Sequence, residues 1–561
     1  MRHTLAIIQR LAERPGDPVA IRAASEALRT DPRGFVTALS EHYAACDTAQ
    51  LSAAGVLNNE LQALEAHTPT WVNHGGNQRV FAQQLLNPTN LADLRNIVRE
   101  VGARRGRVKP VGSGHSFSDI VQTDDVLINI KSILGPNEPG VVLRLEDELW
   151  KDPTPVTPRV RVICGATIHA LNPVLASAGL GFANLGGYDA QTLIGAIATS
   201  THGSGLSLPP LPDAVRSLVL VATGGKVYQI EPSDGITDPD RFYRRYRRED
   251  IELKQDDQWF QSVVVSMGCA GIIYSVTLDV MASYMLREDV TDEAWSRLRP
   301  MLAQRTYLAK YRHLEVHLNP HPASDGDHRC SVVRRNLAPE GSAPHPLPPL
   351  RRLLTMLAFS GEAQRLLVRA LNEHPDLVPG VLDGGFLQLV TGAQPNLEAS
   401  YKIYNLGDVN KADVTAIEFA FPLEHGVYLA AIDRLIEVVA QNRVRGLYQN
   451  GPLALRFVKA SSAYLSMMQG RDSCTCEIAM LNGTRGGDDM LLSYEQAMYE
   501  FQARLHWGQR QELTGSPGWF ESAYPKAGAW LEVYRELNAD GVFNNHFTDR
   551  MGISVYPQDH A

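Results

Sequence analysis

No stretch of the 561 residues approaches the ~18 to 20 consecutive apolar residues of a bilayer span, so the chain reads as one that stays out of the membrane. Its N-terminus does not read as a secretory signal, because Gln9, Arg10, Glu13 and Arg14 interrupt a short apolar run; the expected location is cytoplasmic. Cysteine is scarce. The six present are scattered, which rules against a disulfide framework, and the close pair Cys474 and Cys476 has no second pair to complete a zinc site. Buried thiols are the expected reading. Positive charge is not in excess: 53 Lys and Arg face 62 Asp and Glu, a net charge of −9, which gives no general affinity for nucleic acid. The basic run from Arg241 to Arg248 reads as a solvated loop between strands. What remains, 44% hydrophobic and 20% charged, is the composition of a folded protein with room for two cores.

Residues 1–68 carry apolar positions three and four apart, such as Ile7, Ile8 and Leu11, then Val56, Leu57, Leu61 and Leu64. That spacing predicts a helical N-terminal extension. Between 69 and 280, β-rich runs such as Val160–Cys164 and Ser217–Ala222 alternate with helical ones such as Leu91–Val101, an α+β pattern. From 281 to 525 the strands alternate strictly, in Leu314–Leu318 and Thr415–Phe421, which predicts a sheet with two unlike faces. A proline-rich connector at 338–349 precedes helical runs over Leu350–Leu371 and Tyr428–Gln441, and residues 526–561 form a short tail.

Two segments carry chemistry. In Val111-Gly112-Ser113-Gly114-His115-Ser116, glycines on both sides of a serine expose backbone N–H groups that can nest a phosphate, and the missing Cβ atoms permit close approach. The loop joins strands near 107–111 and 126–130 and opens no long helix, unlike a Rossmann fingerprint. In the second, Asn184 to Gly205, small residues and hydroxyls alternate with apolar ones, so that backbone can lie flat on a planar ring system while Thr and Ser oxygens bond its rim.

Taken with Trp71–Gln78, Ser266–Leu278, Ile417–His425, Gly470–Cys474, His506–Gly508 and Asn544–Phe547, these segments resemble the FAD flavoproteins of the vanillyl-alcohol oxidase superfamily, in the branch of sugar-1,4-lactone and alditol oxidases. The resemblance implies a two-domain fold: a PCMH-type FAD-binding domain over 69–280, a substrate domain over 281–525 whose antiparallel sheet caps the flavin, and a tail over 526–561 that returns to the FAD domain. It also implies FAD attached covalently through His115 to the flavin 8α-methyl carbon. Val111, Gly112, Ser113, Gly114 and Ser116 would hold the pyrophosphate. Thr192, Gly195, Ala196, Thr199 and Thr201 would lie along flavin and pyrophosphate, and Ile273 would offer main-chain contacts deeper in the site. His202 is expected as a structural hydrogen-bonding residue and His506 as a partner of the flavin edge.

On the substrate side the family pattern survives only in part. Its Glu-x-Arg pair reads Ala454-Leu455-Arg456, the polar position after Gly470-Arg471-Asp472 is Glu477, and the lysine after His-Trp-Gly is Gln509. Arg456 is therefore expected to lose a carboxylate partner, and a buried unpaired charge costs about 1–3 kcal/mol or more. Glu477 is expected to supply that charge, either as the proton acceptor or as a residue that only orients Arg456. Ala454 and Gln509 suggest a less charged pocket, and Arg471 and Asp472 an ion pair. His313, Glu315 and His317 share one strand face, as base or substrate-contact candidates or as a polar wall; their spacing also permits a metal, though none is expected. The function implied is oxidation of a hydroxyl-bearing carbon of a small molecule, a sugar lactone, polyol or related metabolite, with O2 or another acceptor reoxidising the flavin. C–N oxidation or oxidative ring closure on the same scaffold, or a low-turnover flavin-binding protein, are the alternatives. The oligomeric state is left open.

Overall fold

The computed structural model describes residues 70–134, 140–142, 147–152, 155–346, 361–386, 395–404, 413–516 and 518–556, with isolated positions before residue 70. The helical extension expected over 1–68 thus lies outside the described residues, apart from positions such as Ile7 and Ala38, which pack with Leu371, Val378 and Leu382. The first part of the expected helix at 350–371 lies outside them too, and the described helix spans Gly361–Glu373.

Three sheets position the site. A small parallel sheet places β3 (Val126–Asn129) between β1 (Gln84–Leu86) and β2 (Val108–Val111). Helix α1 (Leu91–Ala103) connects β1 to β2: the Asn90 side chain accepts the Asp93 N–H at its start, and Leu94, Val98 and Val101 recur on the buried face, the stripe of an amphipathic helix. A six-stranded sheet is formed by β4 (Val141–Val142), β5 (Arg159–Ile163), β6 (Val215–Val221), β7 (Val227–Glu231), β8 (Glu252–Gln255) and β9 (Ile272–Asp279), in the order β8-β7-β6-β9-β5-β4. Between β5 and β6 the second motif folds into a short helix, α2 (Leu193–Ala198).

The third sheet is antiparallel and has eight strands: β10 (Met285–Ala294), β11 (His313–Leu318), β12 (Arg329–Leu337), β13 (Asn396–Ala399), β14 (Val414–Pro422), β15 (Leu453–Val458), β16 (Ser473–Leu481) and β17 (Arg504–Leu505). Their order is β13-β10-β12-β11-β15-β16-β14-β17. Register sets His317, Ala454, Glu477 and Glu418 in one row across four neighbouring strands, and Glu315, Arg456, Thr475 and Ala420 in the next. Side chains two apart on a strand share a face, so both rows lie on one side of the sheet. Helices α3 (Val427–Val444) and α4 (Gly487–Met498) pack on each other and on β14. As a result β14 is buried on both faces from Ala416 to Pro422, although its sequence alternates.

The chain end lies on the cofactor-side sheets. In α4's successor α5 (Ala527–Leu537), Trp530 Nε1 donates to the Ser262 carbonyl at 2.9 Å. Val108 N donates to the Val542 carbonyl at 2.7 Å, and Asn545 Nδ2 to the Ile120 carbonyl at 2.9 Å. The basic run at 241–248 is not the expected loop. Asp238 caps a helix over Pro239–Arg245, Phe242 is its buried anchor, and Arg241 donates to the Trp150 carbonyl at 2.7 Å. Among the described residues no helix is long and apolar enough to cross a membrane, no cluster of His, Cys, Asp and Glu is arranged to hold a metal ion, and the cysteines are free and buried.

Candidate active site

β2 ends at Val111 and the backbone turns at once through the Gly112–Ser116 loop. Gly114 has φ +71°, and a Cβ there would stand 2.7 Å from the Trp71 ring. A Cβ on Gly112 would meet Thr192 Oγ1 at 2.6 Å, and one on Gly195 would meet the same atom at 2.7 Å. Loop and helix start therefore touch only because side chains are missing there. Between them runs a cleft of ≈ 140 Å³, lined by Val111 to Ser116, Thr192, Gly195, Ala196, Thr199 and Ile273, with Lys109 and Gly268.

Two polar atoms on this wall, Ser113 Oγ and His115 Nδ1, are buried without a hydrogen-bond partner, and orphaned buried polar groups are rare enough to need a reason. Lys109 is buried as well, its ammonium donating to the Met267 carbonyl at 2.7 Å and lying 3.4 Å from Cys269 Sγ. An unbonded hydroxyl, the backbone N–H groups of a glycine loop and a buried ammonium fit a pyrophosphate-bearing cofactor. Thr201, expected along the same cleft, is not on its wall; its hydroxyl lies 3.5 Å from that of Thr199.

The eight-stranded sheet meets this cleft through the segment His506–Gln509. Phe117 N donates to the Gly508 carbonyl at 2.7 Å, and Ser118 Oγ to the Trp507 carbonyl at 2.6 Å. Trp507 itself is core, with Nε1 donating to the Leu465 carbonyl. Beside this seam a charged cluster converges. Arg456 Nη1 donates to Glu477 Oε2 at 3.2 Å and lies 3.7 Å from Glu418 Oε1, while its Nε lies 3.7 Å from Glu315 Oε1. Gln509 Nε2 donates to the other Glu477 oxygen at 3.2 Å. His202 Nε2 stands 3.1 Å from Glu418 Oε1 and its Nδ1 is 2.8 Å from the Gly203 carbonyl. His506 is buried next to it, ring centroids 6.1 Å apart, and its Nδ1 accepts the Gly508 N–H.

The Glu477 carboxylate expected to replace the one missing at 454 is bonded to Arg456, and strands β11 and β14 bring Glu315 and Glu418 to it as well. One expectation is corrected here: the pocket is not less charged, since Glu315, Glu418 and Glu477 all face one guanidinium. Glu418 is the residue that sequence reading missed. Its signal was an inward-facing carboxylate between Ile417 and Phe419 on an otherwise apolar strand, a position that burial makes expensive unless it is paired. Two further expectations fail. Arg471 does not pair with Asp472: it donates to the Ala420 and Gln502 carbonyls, whereas Asp472 pairs with Arg305. His313 is fully buried, with Nδ1 2.6 Å from the Ser204 carbonyl and Nε2 2.7 Å from Tyr404 Oη. Both its nitrogens are engaged in a structural bracket. Glu315 is bonded by Arg335 at 2.9 Å, and His317 Nε2 is 4.0 Å from Glu315 Oε2.

The electrostatics separate the carboxylates. Burial opposes ionisation of Glu418, but His202, His506 and Arg456 outweigh it and hold its pKa well below the usual range. Glu315, likewise buried, is pulled down to about 2 by Arg335 and Arg456. At Glu477 burial prevails over Arg456, helped by the Glu418 charge, and the pKa is raised. Burial lowers His317 and His506 to about 4 each, so both are neutral near pH 7. Carboxylates whose environments push their pKa values apart mark acid–base sites. Buried Gln509 Oε1 and Thr475 Oγ1 have no partner within the described residues, leaving acceptors beside Glu477.

The family model described as FAD binding domain matches residues 82–231, and that described as D-arabinono-1,4-lactone oxidase matches residues 276–551. The chain belongs to the PCMH-type flavoproteins, in their sugar-lactone and alditol oxidase branch. Similar proteins include an L-gulono-1,4-lactone dehydrogenase of Mycobacterium tuberculosis, 26% identical over 86% of this chain and 99% of the relative. An L-gulonolactone oxidase of Bos taurus is 25% identical over 84% and 95%, and an alditol oxidase of a Streptomyces species 23% identical over 85% and 97%. Among solved structures, a solvent-stable cholesterol oxidase superposes with TM-score 0.66 at 15% identity, covering 86% of this chain and 97% of that one, which shows the shared two-domain α+β fold. This flavoprotein is an FAD-dependent oxidoreductase that acts on hydroxyl-bearing small molecules. The relatives support that reading and not C–N oxidation, ring closure or passive flavin binding.

The cleft yields one prediction. Gly112→Ala drives a methyl to 2.6 Å from Thr192 Oγ1, and overpacking of this kind costs about 1–3 kcal/mol. FAD affinity is expected to fall by roughly 10- to 100-fold, read in a His115→Ala background, where the flavin exchanges freely, as the flavin-to-protein ratio after dialysis against graded FAD.

Proposed function

We propose that this flavoprotein oxidises a secondary or primary alcohol of a sugar lactone, alditol or related polyhydroxylated metabolite, with FAD tethered through His115 and dioxygen as the electron acceptor. Bound FAD supplies the two-electron acceptor for the carbinol hydrogen. The rest falls to the chain. Val111, Gly112, Ser113, Gly114, Ser116 and Lys109 hold the pyrophosphate, and Thr192, Gly195, Ala196, Thr199 and Ile273 line the ring system. Glu477 accepts the hydroxyl proton. Arg456 and Gln509 keep its carboxylate aimed, and Arg456 steadies the negative charge that develops as the hydrogen leaves. Gln509 Oε1 and Thr475 Oγ1 accept hydroxyls of the substrate, Glu418 and His202 position Arg456, and Glu315 and His317 form the polar wall. Ala454 leaves a methyl-sized position between His317 and Glu477 in the roof row, room for a substituent of the substrate.

The observation that carries this reading is the Glu477 carboxylate, raised in pKa and bridged between Arg456 and Gln509 on the strand face beside the cofactor loop. An oxygen electrode tests substrate and acceptor together. Against a panel of sugar 1,4-lactones and alditols, at least one compound should drive oxygen uptake with matching hydrogen peroxide; turnover only with an added dye would assign a different acceptor. The tether is tested on acid-denatured protein. Wild type should retain yellow colour and one FAD in its intact mass, and His115→Ala should release all of it.

A further inference from the structure

Three rings meet at the loop end of the cleft: His115 and two, Tyr188 and His74, that take no part in the chemistry above. His115 Nε2 lies 3.1 Å from Tyr188 Oη, and Tyr188 Oη lies 3.5 Å from His74 Nε2. The His115 ring centroid is 4.7 Å from both neighbours. His74 lines an open groove together with Asp413 and Arg510, so the row runs from a buried loop outward to solvent. At its inner end, His115 Nδ1 is buried and without a partner.

A neutral imidazole carries one proton, and the hydrogen bond made by one nitrogen decides what the other can do. Burial, with the neighbouring His74 and Lys131 adding to it, pushes the His115 pKa down to about 3, so the ring is neutral across ordinary conditions. Tyr188 sits between two imidazole nitrogens and has one proton to donate. If it donates outward to His74 Nε2, its lone pairs face His115, which places the His115 proton on Nε2. The lone pair is then on Nδ1, the buried nitrogen that has no partner among the described residues.

We propose that Tyr188, backed by His74, is the positioning residue for cofactor attachment: it selects the Nε2–H tautomer of His115, leaves Nδ1 as the nucleophile, and passes the Nε2 proton outward once Nδ1 has bonded. This rests on the reading that His115 carries the FAD. In the attachment the Nδ1–C8α bond forms as one C–H bond of the 8α-methyl group breaks. That methyl proton and the imidazole proton are released, two electrons enter the isoalloxazine, and dioxygen takes both electrons and two protons away as hydrogen peroxide.

Timed intact-mass spectra of the full-length chain, denatured after aerobic incubation with FAD, test the proposal. Tyr188→Phe keeps the ring and removes the hydroxyl; it should bind FAD but bond it at least ~10-fold more slowly. His74→Phe keeps the stack, removes the outer acceptor and should slow bonding by a smaller factor. Digestion of wild type to the flavinyl-histidine should give the Nδ1 isomer. Equal bonding rates in wild type and both variants would overturn the proposal while leaving the tether intact, as would recovery of the Nε2 isomer. Wild-type protein that holds FAD only until acid denaturation would overturn the tether and this inference together.

Discussion

Glu477→Gln should slow reduction of the bound flavin by about 10²- to 10⁴-fold, the range for loss of a positioned general base, while leaving the fold as stable as before or more so. The two readouts separate a proton acceptor from a structural partner. The Glu477 pKa is raised, by burial first and then by Glu418 against the pull of Arg456. A native state that raises a carboxyl pKa favours the protonated form. Its contribution to stability is therefore full below the ordinary carboxylate range and lost as pH rises through the shifted value. At neutral pH the ionised side chain thus works against folding, and glutamine removes that cost. The rate has the opposite dependence: only the carboxylate accepts a proton, so flavin reduction should rise with pH through the shifted pKa. That limb should vanish in Glu477→Gln. A merely orienting Glu477 would leave the limb in place.

Arg456→Met is expected to do the reverse, harming stability and rate together. Its guanidinium lies within 3.2 to 3.7 Å of Glu477, Glu315 and Glu418, and it is nearly enclosed. Breaking a buried charge network by removing the shared partner costs about 3–5 kcal/mol, which thermal unfolding will read as a lowered midpoint. Without the cation, Glu418 and Glu477 repel each other across adjacent strands, so the Glu477 pKa should rise further and the rate limb move to higher pH. Flavin reduction should fall about 10²- to 10³-fold, as when a donor to developing negative charge is lost. Arg456→Lys restores one point charge but not a planar fork that reaches three carboxylates. It should recover part of the stability and little of the rate. Equal recovery of both would show that charge alone matters at this position.

The two halves of the site differ in how far the sequence reveals them. The cofactor half is local. Gly112, Ser113, Gly114 and His115 are consecutive, and their chemistry follows from missing Cβ atoms and exposed N–H groups, so the loop is legible before any fold is known. The roof half is not local. Loss of a carboxylate at 454 is visible in the sequence, yet its replacement depends on the register that sets Glu418 beside Glu477 and Arg456 beside Glu315. Strand alternation says which residues share a face; it does not say which strands are neighbours, and β14 reaches β16 only through an order that skips along the chain. The same limit explains Arg471, whose adjacent Asp472 is its neighbour in sequence but not its partner in space. Tyr188 and His74 stand on separate segments and meet His115 only when the loop closes. The helix at Pro239–Arg245 is a different failure: Asp238-Pro239 is a good helix start, and the arginine run masks the single buried Phe242 that anchors it.

Anaerobic mixing of the purified flavoprotein with hydroxylated substrates tests the central claim most directly, because it isolates hydrogen removal from reoxidation. At least one lactone or polyol should bleach the oxidised flavin fully in a single turnover, with the rate rising with pH in wild type and flat in Glu477→Gln. A flavin that dithionite bleaches but no hydroxylated compound does, or a wild-type rate indifferent to pH, would contradict it.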